Sequence, residues 1–202
     1  DRFGLAPGRY VACVARVVPE KRQLDLIEAF SRAALPPNWK LAIVGAADPG
    51  SDYAVEVTHR AAATPRVVWT GFQSGESLTQ LYQHAGLYVL PSSHEGLPLA
   101  LLEALSFAVP VLASDIAANR EVGLDASAYF PVGDIDALAD RLRLLALDPP
   151  PLAERRALAR RIADRYDWRR IAERTLAVYR NALAEPHAPE AIDEDEERAS
   201  VK

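Results

Sequence analysis

The sequence contains no methionine, only one cysteine and only three lysines among 202 residues. The single cysteine, Cys13, excludes an intramolecular disulfide, and its place in an apolar run at 10–15 predicts a buried structural thiol. No apolar run approaches the roughly 18 residues of a membrane-spanning helix, and no secretory signal is recognisable. Because no initiator methionine is present and a strand-like run follows within a few residues, we interpret the chain as a piece of a longer protein. A cytoplasmic location is therefore a default expectation.

Basic residues are outnumbered, and the net charge of −5 argues against a nucleic-acid partner. The excess of acidic residues lies in residues 185–202, which hold seven acidic and two basic residues. The remaining 184 residues carry 21 of each sign. A short run of this composition is typical of a disordered tail. We therefore expect one domain over residues 1–184, followed by an acidic tail over residues 185–202.

Short aliphatic runs alternate with helical patterns along most of the chain. The runs predict strands at 10–14, 41–44, 67–69, 87–90 and 111–113, with a weaker one at 128–130. The helical patterns lie at 20–33, 52–62, 76–83, 98–107, 134–147, 152–165 and 168–184. Strands without polar alternation are typical of a parallel sheet covered on both faces. The sequence predicts an α/β fold, a doubly wound Rossmann-like sheet with helices on both faces, whose ligands bind at the carboxyl ends of the strands.

Two cations follow the first predicted strand. Arg16 comes shortly after it, and Lys21 stands where the first helical pattern begins. Fixed cations at such a junction can neutralise a diphosphate leaving group without a metal. The alternative is a solvated loop with a charge pair at the start of a helix.

Two glutamates with seven residues between them follow the fourth predicted strand. Glu95 is expected in the loop, and Glu103 in the first or second turn of the next helix. Carboxylates accept paired hydrogen bonds from sugar or ribose hydroxyls, and the unpaired N–H groups at a helix start attract phosphate. Because apolar residues flank Glu103, its carboxylate needs a partner or a ligand, unless it is simply a surface residue of an amphipathic helix.

Weaker candidates follow other predicted strands, and capping, loop structure or core packing explains each of them about as well. They are Gly45, Phe72 as a lining of a base pocket, Ser114, Asp115 and Glu121, together with His94 beside Glu95. No histidine, cysteine or carboxylate set has metal-ligand spacing, and neither a P-loop nor a nucleophile elbow is present.

Four segments together resemble the C-terminal, donor-binding half of retaining glycosyltransferases of family 4, which have the GT-B fold. The first two are ARVVPEKRQLDLIEAF at 15–30 and LAIVGAADPG at 41–50. The third is the block at 67–115 that contains the glutamate–seven residues–glutamate motif, and the fourth is YDWRRIAERTLAVY at 166–179. The resemblance covers residues 9–183.

The resemblance implies a nucleoside diphosphate sugar as donor, transferred with retention at the anomeric carbon and without a metal or other cofactor. Arg16 and Lys21 would bind the diphosphate, Glu95 would hold hydroxyls of the transferred sugar, and Glu103 would bind the ribose. Glu95, Arg16 and Lys21 are thus the candidate catalytic residues. The helix start would contact phosphate and sugar through Gly96, Leu97, Pro98 and Leu99.

The chain departs from the family pattern at two glycine positions, which here are Ala15 and Ala108. Alanine would hinder either position if a positive φ or a close ligand approach were required. The resemblance also implies a missing N-terminal half with the acceptor site, so this chain alone should bind a nucleotide and transfer little. Peripheral attachment of the full-length protein to a membrane is a further expectation.

Two other classes of function are compatible with the sequence. The same fold could serve a sugar-nucleotide epimerase or a phosphorylase, or the chain could be a nucleotide-binding or interaction module without chemistry. The set of Arg16, Lys21, Glu95 and Glu103 favours an intact donor site.

Overall fold

The computed structural model describes residues 2–184. The chain divides into two compact units, Asp1–Arg165 and Tyr166–Lys202, and each is described by itself. The predicted tail at 185–202 lies outside the described residues, and the single domain over 1–184 stays a prediction.

The first unit is built on a six-stranded parallel sheet with the order β3-β2-β1-β4-β5-β6. Its strands are β1 (Tyr10–Val14), β2 (Lys40–Val44), β3 (Val67–Gly71), β4 (Leu87–Leu90), β5 (Val111–Ser114) and β6 (Tyr129–Phe130). Every predicted strand is present within two residues of its expected bounds. The doubly wound, Rossmann-like α/β fold is confirmed.

Seven helices belong to the first unit. They are α1 (Gln23–Arg32), α2 (Asp52–Ala63), α3 (Gly75–Gln83), α4 (Leu99–Ser106), α5 (Ala117–Arg120), α6 (Ile135–Leu147) and α7 (Leu152–Arg165), with 3₁₀ turns at Pro19–Lys21 and Ala126–Ala128. The helix predicted from residue 20 begins at Gln23 instead. Arg22 has φ = 50°, and this left-handed residue separates the 3₁₀ turn from α1.

The core lies on both faces of the sheet. Helix α1 packs against α2 and α6, and α4 packs against α3 and α7. In β1, Val11, Ala12 and Cys13 are completely buried, as expected for a central parallel strand. Burial raises the pKa of the Cys13 thiol to about 12, and the predicted buried structural cysteine is confirmed as buried.

The described part of the second unit is helix α8 (Trp168–Ala184). Asp167 caps it, because its Oδ1 accepts a hydrogen bond from the backbone N–H of Arg169 at 2.8 Å. Among residues 2–184, no helix combines the length and the apolar character required to cross a bilayer.

The two alanines at glycine positions differ in backbone conformation. Ala108 ends α4 with φ = 55°, and the N–H groups of Ala108 and Val109 bond to the carbonyls of Leu105 and Ala104. These two bonds form the Schellman motif that favours glycine. Ala15 is not among the described residues with positive φ. The expected hindrance therefore applies to Ala108, as backbone strain at a helix end.

Candidate functional site

The strand order reverses between β1 and β4, which lie side by side at the centre of the sheet. From β1 the chain crosses over toward β2, and from β4 it crosses over toward β5 on the other side. Right-handed crossovers then place α1 and α4 on opposite faces, so the loops after β1 and β4 diverge. The crevice between such loops is where ligands bind in sheets of this type.

A cleft of about 210 Å³ occupies this crevice. Its lining consists of Val14, Ala15, Arg16, Lys21, Leu90, Glu95, Leu97, Pro98, Leu99 and Ala100. Six of the eight residues predicted to bind the donor are in this set. Gly96 lies between two of its members in sequence, and Glu103 is not part of the lining.

Lys21 and Glu95 meet across the cleft in an ion pair. Their Nζ and Oε1 atoms are 2.6 Å apart, and the side chains are only 17% and 10% exposed. The loops that carry them are also joined by the backbone N–H of Ser93, which donates to the carbonyl of Glu20 at 2.8 Å. Each partly buried charge offsets the desolvation cost of the other, so both are held at the cleft before any ligand arrives.

Arg16 differs from Lys21 because its side chain is exposed. Within residues 2–184 its guanidinium makes no hydrogen bond or ion pair, whereas its backbone carbonyl accepts a hydrogen bond from Gln23. A fixed backbone with an uncommitted guanidinium suits the capture of an anion, because arginine binds phosphate through a planar fork of donors.

The start of α4 supplies further donors on the opposite side of the cleft. The N–H groups of Leu99 and Leu101 are bonded to the carbonyls of Leu97 and Pro98. Within the described chain, the N–H groups of Gly96, Leu97 and Ala100 have no such acceptor. Unpaired donors at the positive end of a helix attract negatively charged groups.

Glu103 lies one turn further along α4 and is exposed. Its Oε2 accepts a hydrogen bond at 2.8 Å from the hydroxyl of Tyr82, the penultimate residue of α3. Tyr82 is buried and stacks on Phe107, and burial together with the Glu103 charge raises the pKa of its hydroxyl. The partner that Glu103 requires is thus Tyr82. Its contact with a ribose stays a prediction.

Gly45, a weaker candidate, is required by the packing of the loops. It has φ = 153°, and a Cβ at this position would lie 1.9 Å from the carbonyl oxygen of Ala15. Its own carbonyl accepts a hydrogen bond from Trp69 Nε1 at 2.9 Å. The loop after β2 can therefore support the loop after β1 only with glycine at this position.

The remaining weaker candidates range from completely buried to exposed. Ser114 is completely buried and donates to the carbonyl of Ser92, and Asn119 Nδ2 donates to Ser114 in turn. This network joins the ends of β4 and β5 beneath the surface. The exposed candidates are Phe72 at 71% exposure, Glu121 and His94. Asp115 is half-buried, and its Oδ2 lies 3.8 Å from Arg120 Nη2.

Gln23 and Tyr53 support the loop after β1 from beneath the cleft, and neither was predicted from the sequence. Gln23 is completely buried, and its Nε2 donates to the carbonyl of Arg16 at 2.8 Å. Its Oε1 accepts from the Tyr53 hydroxyl at 3.1 Å. Gln23 precedes Leu26, Ile27 and Phe30 on the apolar face of α1, and a polar residue on that face was the available signal.

A larger cavity of about 510 Å³ lies at the amino end of β5 and is lined mainly by leucine, valine and proline side chains. Its one cation is Arg155, whose Nη1 and Nε donate to the carbonyls of Ala108 and Pro150. A diphosphate would find no uncommitted cation there. In residues 2–184 no three His, Cys, Asp or Glu side chains are grouped so as to hold a metal.

Comparison with known proteins agrees with the fold. Residues 5–165 match the family model described as glycosyl transferases group 1. The chain is 25% identical over 184 residues to the O-antigen chain mannosyltransferase B of Escherichia coli, covering 89% of this chain and 48% of the relative. It is 30% identical over 193 residues to the GDP-mannose:cellobiosyl-diphosphopolyprenol alpha-mannosyltransferase of Xanthomonas oryzae pv. oryzae, covering 92% and 50%. The chain thus spans about half the length of these curated relatives.

Solved structures share the architecture. The HepE protein of Anabaena, in complex with UDP and glucose, aligns with a TM-score of 0.76 at 23% identity, covering 89% of this chain and 50% of that one. The sucrose-phosphate synthase of Thermosynechococcus elongatus aligns with a TM-score of 0.75 at 24% identity, covering 89% and 47%. At these identities the likeness shows the fold, that of GT-B glycosyltransferases. From the match of its own residues 5–165, the chain belongs to the glycosyl transferases group 1 family.

Proposed function

We propose that this chain is the donor-binding half of a glycosyltransferase that transfers a sugar from a nucleoside diphosphate sugar with retention at the anomeric carbon. The observation that carries the proposal is the convergence of Arg16, Lys21 and Glu95 in one cleft at the switch point of the sheet. Two cations and one carboxylate match a ligand that is anionic at one end and hydroxylated at the other.

The leaving diphosphate gains negative charge as the bond to the sugar breaks. In this proposal Arg16 and Lys21 stabilise that charge, and the unpaired N–H groups of Gly96 and Leu97 donate to phosphate oxygens. Because the Lys21 ammonium and the N–H groups at the start of α4 are in place before the ligand binds, these groups need little reorganisation during the reaction. No metal or other cofactor has a role in the proposal, so a chelator should leave nucleotide affinity unchanged.

The hydroxylated parts of the donor are assigned to the two glutamates. Glu95 accepts hydrogen bonds from hydroxyls of the transferred sugar. Glu103 uses Oε1 for the ribose, since only its Oε2 is bonded to Tyr82 within the described chain. Phe72 at the end of β3 offers an exposed apolar surface for the base. The Xanthomonas relative is named for GDP-mannose and the Anabaena structure holds UDP, so both bases need testing.

Transfer itself requires an acceptor site, which we assign to a second half of the protein. The proposal is supported by the chain's match to only about half of its curated relatives. This chain alone should then bind donor and transfer little or nothing. A cytoplasmic location, with peripheral attachment of the full-length protein to a membrane, completes the proposal.

A thermal-shift panel of UDP, GDP, ADP and their sugars tests the proposal on the 202-residue chain. A ligand at 100 times its dissociation constant adds about 2.7 kcal/mol to the free energy of unfolding. For a chain of this size that corresponds to a rise of about 5–11 °C in Tm. At least one nucleotide should produce it. A flat panel would contradict the proposal and favour an interaction module without chemistry.

A further inference from the structure

The Gln23 amide connects the loop after β1 to helix α2. Gln23 is the first residue of α1 and is completely buried, yet both ends of its amide have partners. Nε2 donates to the Arg16 carbonyl at 2.8 Å, and Oε1 accepts from the Tyr53 hydroxyl at 3.1 Å. A carbonyl only accepts, so the orientation of the amide is fixed at the Arg16 end.

A buried side-chain amide is energetically unfavourable at this position unless it is hydrogen-bonded. Burying it without partners is unfavourable by a few kcal/mol, whereas a leucine or methionine would simply join the apolar core. The two hydrogen bonds remove that penalty but add little net stability. Packing alone therefore does not explain a glutamine at residue 23. The hydrogen bonds that it makes to the loop after β1 and to helix α2 do explain it.

Tyr53 fixes the far end of the amide. Its hydroxyl donates to Gln23 and also accepts from the backbone N–H of Leu24 at 3.4 Å. Burial raises the pKa of this hydroxyl to about 12, so it stays protonated and remains a donor at neutral pH. Helix α2 thereby holds the oxygen end of the Gln23 amide.

The Arg16 carbonyl is the point at which Gln23 holds the loop after β1. The loop is tied to its neighbours by the N–H groups of Ala15 and Val17, which donate to the carbonyls of Val44 and Ala46. Arg16 lies between these two residues, and its side chain is exposed in the cleft. Its carbonyl accepts a hydrogen bond at 3.1 Å from the N–H of Val18 in the same loop and, from helix α1, the one from Gln23 Nε2.

We propose that Gln23 and Tyr53 are positioning residues that fix the direction of the Arg16 side chain toward the diphosphate. The inference rests on the proposed function and adds to it a connection from helix α2 to the phosphate-binding loop. Neither residue lines the cleft, so neither contacts the ligand in this proposal.

Calorimetric titration of the 202-residue chain with UDP and GDP tests the inference. Gln23→Met removes both hydrogen bonds at similar volume and should weaken binding of the diphosphate about five- to tenfold. Tyr53→Phe should weaken it about threefold. Tyr129→Phe is the matched control, because it also removes a tyrosine hydroxyl that makes two hydrogen bonds, but on β6. It should lower Tm and leave affinity unchanged.

A double-mutant cycle separates positioning from a merely structural role. In an Arg16→Ala background, Gln23→Met should no longer change affinity, because the side chain it positions is gone. Equal losses in both backgrounds would overturn the inference. If Gln23→Met fails to fold, Tyr53→Phe takes its place in the cycle. Absence of UDP and GDP binding to the wild-type chain would instead overturn the proposed function itself.

Discussion

Glu95 should oppose the binding of a bare nucleoside diphosphate, although in the proposed function it helps to bind the complete sugar donor. In the free protein it pairs with Lys21 at 2.6 Å. A phosphate that approaches Lys21 must share the ammonium with this carboxylate. Replacing Glu95 with glutamine removes the negative charge at constant volume and preserves a hydrogen-bond acceptor for Lys21.

The magnitude follows from the geometry of the pair. If Lys21 bridges both anions, the carboxylate and the nearest phosphate oxygen are ~5 Å apart, and their repulsion is about 0.8 kcal/mol in bulk water and more between protein walls. We therefore expect Glu95→Gln to tighten the binding of UDP or GDP by about 1 kcal/mol, roughly fivefold. For the matching sugar nucleotide, the loss of a charged acceptor costs about 1.5–3 kcal/mol and outweighs this gain.

Titration calorimetry of each nucleotide with and without its sugar measures both effects. Glu154→Gln is the matched control, because it neutralises a carboxylate beside the cavity at the amino end of β5. Glu154→Gln should leave the affinities for the nucleotide and for the sugar nucleotide unchanged. If Glu95→Gln weakens UDP or GDP binding as much as Lys21→Ala does, the assignment of Glu95 to the sugar is wrong.

Three other substitutions give separate tests. Glu103→Ala should weaken binding of the diphosphate nucleotide by about 1–3 kcal/mol in calorimetry, and unchanged affinity would refute the ribose contact. Ala108→Gly should raise Tm by about 2–4 °C, since it relieves about 1 kcal/mol of left-handed backbone strain, and a lower Tm would contradict the strain argument. Gly45→Ala should lower the free energy of unfolding by about 3 kcal/mol or more in urea titrations, because its Cβ would overlap the Ala15 carbonyl. A loss under about 1 kcal/mol would contradict the predicted overlap.

The sheet was predictable because parallel strands covered on both faces are short aliphatic runs, as at 10–14 and 87–90. Two details of the helices were not. Helix α5 is a single turn, too short to show a period, and the start of α1 depends on the left-handed conformation of Arg22. That conformation is uncommon for arginine and carries no pattern in the sequence.

The candidate site was predictable in part. Arg16, Lys21 and Glu95 follow strand-like runs, so their place at the strand ends follows from the pattern alone. That β1 and β4 are neighbours depends on strand order, which right-handed crossovers restrict without fixing. Side-chain partners depend on packing between distant helices, so the contact of Glu103 with Tyr82 could not be derived from the spacing of the two glutamates.

Titration of UDP and GDP against the wild-type chain, Lys21→Ala and Lys40→Ala tests the central claim most directly. Lys40 is the matched control, because it lies at the amino end of β2 and its Nζ donates to the carbonyl of Gly4. We expect the wild type to bind at least one nucleotide and Lys21→Ala to lose about 1.5–3 kcal/mol, roughly 10- to 150-fold, with Lys40→Ala unchanged. No binding to the wild type, or equal losses in the two lysine variants, would contradict a donor cleft at the switch point.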